Sequence, residues 1–176
     1  MTEDIAVEAR NLVKHFPIHL GFFRTMFSKE IPYVHAVDDV SFKISLREIF
    51  GLVGESGCGK TTTGRLLLRL IEPTAGEVFF KGTSVTSINL EREMRRLRRK
   101  MQVIFQDPYE SLNPRMSIYD TIAEPLRIQR VVESENELTD RVAKTLEDLD
   151  LTPAEEFMFR FPHELSGGQR QRVAIA

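Results

Sequence analysis

The octapeptide GESGCGKT, which runs from Gly54 to Thr61, constrains the fold of this 176-residue chain more than any other feature. It fits the pattern G-x-x-x-x-G-K-[ST] at every position. Its glycines allow consecutive backbone N–H groups to face an anion at close range. In this pattern the lysine, here Lys60, reaches the β- and γ-phosphates of a nucleotide, and the hydroxyl of Thr61 binds Mg²⁺. The string therefore predicts a loop that binds nucleotide phosphates, called the phosphate loop below.

The segments on either side have the character that such a loop requires. Residues 48–53, EIFGLV, predict a short buried strand that enters the loop. Residues 61–71 predict a helix that leaves it with its N-terminus directed at the anion. A chance match in a glycine-containing turn would lack this context, so the order strand, loop, helix predicts an α/β fold.

Cys58, the only cysteine, lies inside the phosphate loop. A single cysteine forms no internal disulfide, which indicates a reducing compartment. A nucleophilic role competes with the simpler interpretation that a small side chain fills a permissive position. No spacing of Cys and His is typical of metal ligands, and Pro17 prevents His15 and His19 from sharing a helix face.

A second motif, LSGGQ at residues 165–169, lies about a hundred residues after the first and is called the signature motif below. The residues that follow it, RQRVAIA, predict the start of a helix. Ser166 is a preferred N-cap residue, and Gly167 and Gly168 leave N–H groups uncovered at the helix start. The motif predicts a second anion site that has no lysine of its own.

With both motifs in this order, the chain resembles the ATP-binding cassette ATPases throughout its length. Within that family it is most similar to the second ATPase subunit of oligopeptide and dipeptide importers. The finer match is carried by GESGCGKTTTGRLLLRL, by FQDPYESLNPR at 105–115, by AEPL at 123–126, and by an insertion of about sixteen residues between Phe16 and Tyr33.

The resemblance implies an α/β fold: a RecA-like phosphate-loop NTPase core with an antiparallel β subdomain and a helical subdomain. It implies one cassette domain over residues 1–176, with the β subdomain and core at 1–106, the helical subdomain at 107–164, and the signature motif with the start of its helix at 165–176. Relatives continue into a strand that ends in Asp-Glu and then to a switch histidine. The C-terminal part of the core is therefore expected to be missing, and the isolated chain is expected to bind ATP without turnover.

The resemblance also assigns roles to residues. Phe16 would stack on adenine, with Tyr33 as the competing candidate. Lys60 and Gln106 would be catalytic, and Thr61 and Gln106 would contact Mg²⁺. The cofactors implied are ATP and Mg²⁺. The residues expected to bind nucleotide are Phe16, Gly54, Glu55, Ser56, Gly57, Cys58, Gly59, Lys60, Thr61, Thr62, Ser166, Gly167, Gly168 and Gln169.

The implied working unit is a dimer with a second cassette subunit, identical or different, in which residues 166–169 of one subunit grip the γ-phosphate on the other. The implied function is ATP hydrolysis that energises a peptide importer, at the cytoplasmic face of the plasma membrane, through transmembrane permease subunits. The alternatives are a cassette protein of DNA repair or translation, and a plain ATP-binding fragment.

Composition agrees with this interpretation. The net charge of −2 gives no general attraction to nucleic acid, which is not an expected partner. No apolar run approaches the roughly 18 residues that suggest a membrane span. The acidic start, MTEDIA, lacks the pattern of a signal peptide.

Periodicity predicts the remaining elements. Strands are expected at 5–16, 34–53 and 76–82, with a strand-like run at 101–105. Helices are expected at 90–100, at 118–129 after a Ser117 cap, at 137–149, and from Thr152-Pro153 onward. The aromatic-rich segment 17–32 predicts a surface loop that packs its own aromatics, or one that touches a membrane or partner. The basic run at 90–100 predicts a solvated helix face rather than a nucleic-acid patch.

Overall fold

The computed structural model describes residues 4–18, 32–105 and 111–176. They fall into two compact units that divide between Arg98 and Arg99. The strands are β1 (Ile5–Pro17), β2 (Tyr33–Ser45), β3 (Ala75–Phe80) and β4 (Thr83–Ser84). The helices are α1 (Lys60–Leu67), α2 (Glu91–Arg98), α3 (Ile118–Gln129), α4 (Glu135–Asp148), α5 (Ala154–Met158) and α6 (Gly167–Ile175), with a 3₁₀ turn at Pro162–Glu164 before α6. Strands and helices together confirm the α/β class.

The first unit is built on a four-stranded antiparallel sheet in the order β2-β1-β3-β4. Ala9 and Leu12 on β1 and Val78 on β3 are buried, and Leu66 of α1 is buried as well. The positions of β1 and β3 confirm the strands predicted near both segments. The antiparallel sheet agrees with the β subdomain that the resemblance implies.

The turn between β3 and β4 is a two-residue hairpin. Phe80 pairs with Thr83, which leaves Lys81 and Gly82 as the turn. Their φ angles are 48° and 77°. Both are positive, as a type I′ turn requires, and this turn matches the right-handed twist of the strands. The predicted Lys-Gly turn at the end of β3 is confirmed.

Two apolar segments predicted as strands are not strands. β2 ends at Ser45, so the strand predicted over 34–53 is wrong in its second half, and so is the buried strand at 48–53. Ile49 is 99% exposed and Val53 is 93% exposed. Residues 101–105 are likewise not a strand, and Ile104 is exposed. Apolar composition makes a strand only where a neighbour satisfies the backbone, and within the described ranges the four-stranded sheet reaches neither segment.

The helix predicted over the basic run is α2. Met94 and Leu97 are buried, while the arginines of the helix are exposed. Arg95 forms the expected ion pair with Glu91 one turn earlier, at 2.8 Å. The basic residues therefore form a solvated helix face, as predicted.

The inserted segment between β1 and β2 is described only at its ends. The N–H of Ile18 donates a hydrogen bond of 2.9 Å to the carbonyl of Pro32, which closes the base of the insertion. The prediction that the insertion packs its own aromatics, or touches a membrane or partner, concerns residues 19–31 and lies outside the described residues.

The described part of the second unit contains helices, and local capping sets where they begin. Ser117 accepts a hydrogen bond from the amide of Asp120 at 3.0 Å, so α3 has the predicted bounds. Ser134 accepts one from the amide of Glu137 at 3.2 Å, and α4 therefore begins two residues before its predicted start. Helix α5 follows Thr152-Pro153 as predicted.

The core of the second unit lies along one face of α4. Leu138, Val142 and Leu146 recur every four residues on this face, and all three are fully buried. They belong to one cluster with Ile118 and Ile122 of α3. This face of α4 therefore holds the helices of the unit together.

Replacing Leu146 by alanine should destabilise this unit by about 2–5 kcal/mol, because the side chain is fully buried and its removal leaves a cavity. Urea denaturation followed by circular dichroism measures the loss. Ile128→Ala is the matched control, since Ile128 is 57% exposed and should cost less than about 1 kcal/mol. Equal losses in the two variants would contradict the assignment of Leu146 to the core.

Candidate functional site

The phosphate loop is irregular backbone that ends where α1 begins. Gly59 is the N-cap of α1 and has φ 92° and ψ 2°, and Gly57 has φ 83°. Residues with a side chain rarely adopt these left-handed backbone angles, so glycine is favoured at both positions. Glu55 and Ser56 are exposed on the loop. The backbone therefore has the conformation for which the glycines were predicted.

Glycine is needed at position 59 for a second structural reason, which could not be predicted from the sequence. A Cβ at this position would clash with the backbone carbonyl oxygen of Ala36 and would lie 3.6 Å from Cγ2 of Val37. Ala36 and Val37 belong to β2, so the end of the phosphate loop packs directly on this strand. The sequence places the two segments more than twenty residues apart and contains no signal for this contact.

The ammonium of Lys60 lies against the loop itself. Its Nζ donates to the carbonyl oxygens of Gly54 at 2.8 Å and Glu55 at 2.6 Å. The free thiol of Cys58 is exposed, and its Sγ lies 3.5 Å from the same Nζ. These contacts hold a positive charge within the loop, where a phosphate would benefit from it.

The first turn of α1 presents backbone donors. The first helical hydrogen bond runs from the N–H of Thr63 to the carbonyl of Gly59, at 2.8 Å. The amides of Lys60, Thr61 and Thr62 therefore have no acceptor within the helix. The side chain of Thr61 is exposed, whereas Thr63 is buried with its hydroxyl donating to the Gly59 carbonyl at 3.0 Å. Unpaired amides at a helix N-terminus form a binding site for an anion.

The two candidates for adenine stacking lie on neighbouring strands but on opposite faces. Phe16 pairs with Val34, and Tyr33 pairs with Pro17 one position along. Side chains alternate along a strand, and directly opposed residues share a face. Lys14, two residues before Phe16, pairs with Val37, the residue that Gly59 approaches. Phe16 therefore lies on the face that packs against the phosphate loop, and Tyr33 lies on the other.

The ring of Phe16 is partly exposed and already has a cation beside it. The Nζ of Lys14 lies 4.9 Å from the ring centroid. The same Nζ donates to the carbonyl of Glu72 at 2.8 Å, which fixes the lysine. A flat, partly exposed ring with a fixed cation is a suitable platform for a base.

The signature motif begins α6 as predicted. Ser166 is the N-cap: its Oγ accepts from the amide of Gln169 at 3.3 Å, and its own amide donates to Oε1 of Gln169 at 2.9 Å. This reciprocal capping box leaves the amides of Gly167 and Gly168 without an acceptor in the helix. The hydroxyl proton of Ser166 also remains available to donate.

A buried leucine and an arginine hold the signature helix in place. Leu165 is buried before the cap. Arg172 of α6 donates to the carbonyls of Leu149 and Asp150 at 3.2 and 3.1 Å, at the C-terminal end of α4. A cation there also interacts favourably with the helix dipole. The start of α6, with the exposed Gly167 and Gly168, is therefore held in a fixed position.

Gln106, predicted to be catalytic and to contact Mg²⁺, lies outside the described residues. The structure thus brings residues 54–62 together at one helix start. Phe16 lies on the face of β1 and β2 that packs against the phosphate loop. The four residues Ser166 to Gln169 form a second helix start in the other unit. Among the described helices, none combines the length and apolar character that crossing a membrane requires.

Comparison with known proteins identifies the family. The family model described as ABC transporter matches residues 37–176. The oligopeptide transport ATP-binding protein OppF of Bacillus subtilis (strain 168) is 47% identical over 176 residues, which is 100% of this chain and 53% of that protein. A putative peptide import ATP-binding protein of Brucella ovis is 46% identical over 100% of this chain and 51% of its own length. The chain therefore spans about half the length of the curated relatives it matches.

Solved structures agree with these relatives. A dimeric post-hydrolysis structure of the ATP-binding cassette MJ0796, bound to ADP and Pi, has a TM-score of 0.75 and 30% identity, covering 96% of this chain and 67% of that one. The cbiO1 protein of Clostridium perfringens has a TM-score of 0.67 at 22% identity, covering 98% and 60%, and supports the fold alone. The phosphate loop, the signature motif and these matches have one common explanation: the chain belongs to the ABC transporter ATP-binding cassette family.

Proposed function

We propose that this chain is the ATP-binding part of a subunit that energises a peptide importer. The phosphate loop is the observation that carries the proposal, because Lys60 lies at a helix start whose first three amides have no acceptor within the helix. The names of the relatives, which refer to oligopeptide and peptide import, support the class of cargo. ATP binding and hydrolysis by the whole subunit would drive the transport cycle.

Each part of the loop has a distinct task in this proposal. The amides of residues 57–62 hold the phosphates of ATP, and Lys60 exchanges its loop carbonyls for the β- and γ-phosphate oxygens. The exposed hydroxyl of Thr61, together with Gln106, holds Mg²⁺. When bound there, the ion would supply positive charge that offsets the negative charge developing on the phosphates. The chain itself contributes position and fixed positive charge, which are the main sources of catalysis in phosphoryl transfer.

Phe16, rather than Tyr33, stacks on adenine. Its support is geometric: Phe16 shares a face of β1 with Lys14, whose partner Val37 touches the end of the phosphate loop. Tyr33 points to the opposite face of the same two strands. A nucleotide with its phosphates on the loop reaches only the first of these faces.

The signature motif acts on a nucleotide held by a second cassette subunit. The amides of Gly167 and Gly168 and the hydroxyl proton of Ser166 supply three donors for a γ-phosphate. The dimeric form of the similar cassette MJ0796 supports this arrangement. Permease subunits would then hold the dimer at the cytoplasmic face of the plasma membrane.

Lys60→Ala should weaken ATP binding about tenfold or more, because a charge-assisted hydrogen bond to phosphate contributes roughly 1.5–3 kcal/mol. Calorimetric titration with ATP and Mg²⁺ measures the change. Lys144→Ala, which removes an exposed lysine of the other unit, is the matched control and should bind like the parent. Equal ATP affinity in Lys60→Ala and the parent would refute the assignment of the loop.

The same pair of variants tests import. In bacteria from which the corresponding gene is deleted, uptake of a radiolabelled oligopeptide should return with the full-length parent gene and with its Lys144→Ala form. It should stay at background with Lys60→Ala. Loss of ATP binding without loss of uptake would separate the two functions and reject peptide import.

Phe16→Ala should weaken ATP binding several-fold and weaken triphosphate binding little, because stacking on a base is worth about 1–3 kcal/mol. Tyr33→Ala, on the opposite face, is the matched aromatic control and should leave ATP affinity unchanged. Titration of both variants with ATP and with inorganic triphosphate measures this. If only Tyr33→Ala loses affinity for ATP, Tyr33 and not Phe16 stacks on adenine.

A further inference from the structure

A compact group of imidazole and carboxylate side chains lies on the face of β1 and β2 that is directed away from the phosphate loop. His15 on β1 is paired directly with His35 on β2, and their ring centroids are 3.8 Å apart. Oδ1 of Asp38 lies 3.6 Å from Nε2 of His15, and Oδ2 lies 3.7 Å from Nδ1 of His35. Three potential metal ligands thus converge, with one ligand atom from each within 4.8 Å of the others.

A β-bulge brings these residues together. In a regular strand, residues 35 and 38 would point to opposite faces, because side chains alternate. The pairing runs from Lys14 with Val37 to His15 with His35, which leaves Ala36 as an extra residue on β2. A bulge of this kind changes the direction of the side chains beside it. Asp38 therefore reaches the face on which the two imidazoles lie.

The distances fit metal ligands better than hydrogen bonds. At 3.6 and 3.7 Å, the contacts are too long for direct hydrogen bonds. Nε2 of His15 is buried and has no hydrogen-bond partner among the described residues, which is costly for a polar atom. In a tetrahedral site with bonds of about 2.0–2.1 Å, ligand atoms stand roughly 3.3–3.4 Å apart. The two contacts to Asp38 are a few tenths of an ångström longer than this, and the three ligand atoms lie within 4.8 Å of one another. Movement of the exposed His35 and Asp38 side chains would bring all three ligands to a metal ion.

We propose that His15, His35 and Asp38 bind a divalent transition-metal ion, with Zn²⁺ as the reference ion. Two imidazoles and one carboxylate are ligands suited to Zn²⁺ and its neighbours in the transition series, whereas Mg²⁺ prefers oxygen ligands alone. His35 and Asp38 have side chains that are 58% and 67% exposed, so ions enter from solvent and water completes the coordination. The site is distinct from the proposed ATP site and does not depend on it.

The site has a structural consequence for the phosphate loop. The bulged residue Ala36 lies between two ligands on β2, and its carbonyl oxygen is the atom that Gly59 approaches. A metal ion bound to His15 on β1 and to His35 and Asp38 on β2 would link the two strands and fix this bulge. Because an ion that binds only the folded state stabilises it, metal binding raises the thermal unfolding temperature.

Titration of the tag-free chain with ZnCl₂, in buffer without nucleotide or phosphate, tests the site by calorimetry and by thermal unfolding. The parent should bind one Zn²⁺ and unfold at a higher temperature with the ion. His35→Gln and Asp38→Asn, both at exposed side chains, should each weaken binding at least about tenfold, since even partners beyond the ligands contribute 10–100-fold. His163→Gln, at an exposed histidine of the other unit, is the matched control and should bind like the parent.

Co²⁺ as a second probe reports the ligands directly, through a visible absorption band that His35→Gln and Asp38→Asn should abolish. Circular dichroism of each variant shows whether it is folded, and His15→Gln is then an additional ligand variant. Absence of saturable Zn²⁺ binding by the parent would overturn the proposal, and the three side chains would then be a cluster that binds no metal. Equal Zn²⁺ affinity in the parent, His35→Gln and Asp38→Asn would overturn it equally.

Discussion

The phosphate loop depends on the close contact between Gly59 and the backbone carbonyl of Ala36. No side chain fits between them, so the helix start of α1 rests directly on β2. The loop ends and α1 begins at Gly59, where the backbone is left-handed. The first-turn amides, which have no acceptor within the helix, follow directly after Gly59, and the ammonium of Lys60 is held by the carbonyls of Gly54 and Glu55. The anion-binding character of the loop therefore comes from packing on a strand as well as from its own glycines.

The two faces of the paired strands β1 and β2 carry side chains with different chemical roles. One face carries Phe16 and packs against the end of the phosphate loop, where a nucleotide is expected. The other face carries His15, His35 and Asp38, which suit a transition metal. The bulge at Ala36 serves both faces, because it presents a carbonyl to Gly59 and redirects Asp38 toward the histidines. A regular strand would provide neither arrangement.

Features governed by local hydrogen bonds could be predicted from the sequence. Ser117 and Ser166 cap α3 and α6 as expected, because a side-chain oxygen satisfies an amide three residues away. The Lys81-Gly82 turn was predictable for the same reason, since only nearby backbone angles matter. The irregular structure of residues 48–53 could not be predicted, because a strand requires neighbouring strands that an apolar run does not specify. The His15, His35 and Asp38 cluster was missed because a bulge has no signature in residue spacing.

The proposed nucleotide site depends above all on the amides from Gly57 to Thr62, which would hold the phosphates. Hydrogen–deuterium exchange with and without saturating ATP and Mg²⁺ measures those amides directly. Exchange should slow in residues 54–62 when ATP is bound and stay unchanged in helix α4, which lies in the other unit and has one buried face. Saturated ATP binding with no protection of residues 54–62 would contradict it.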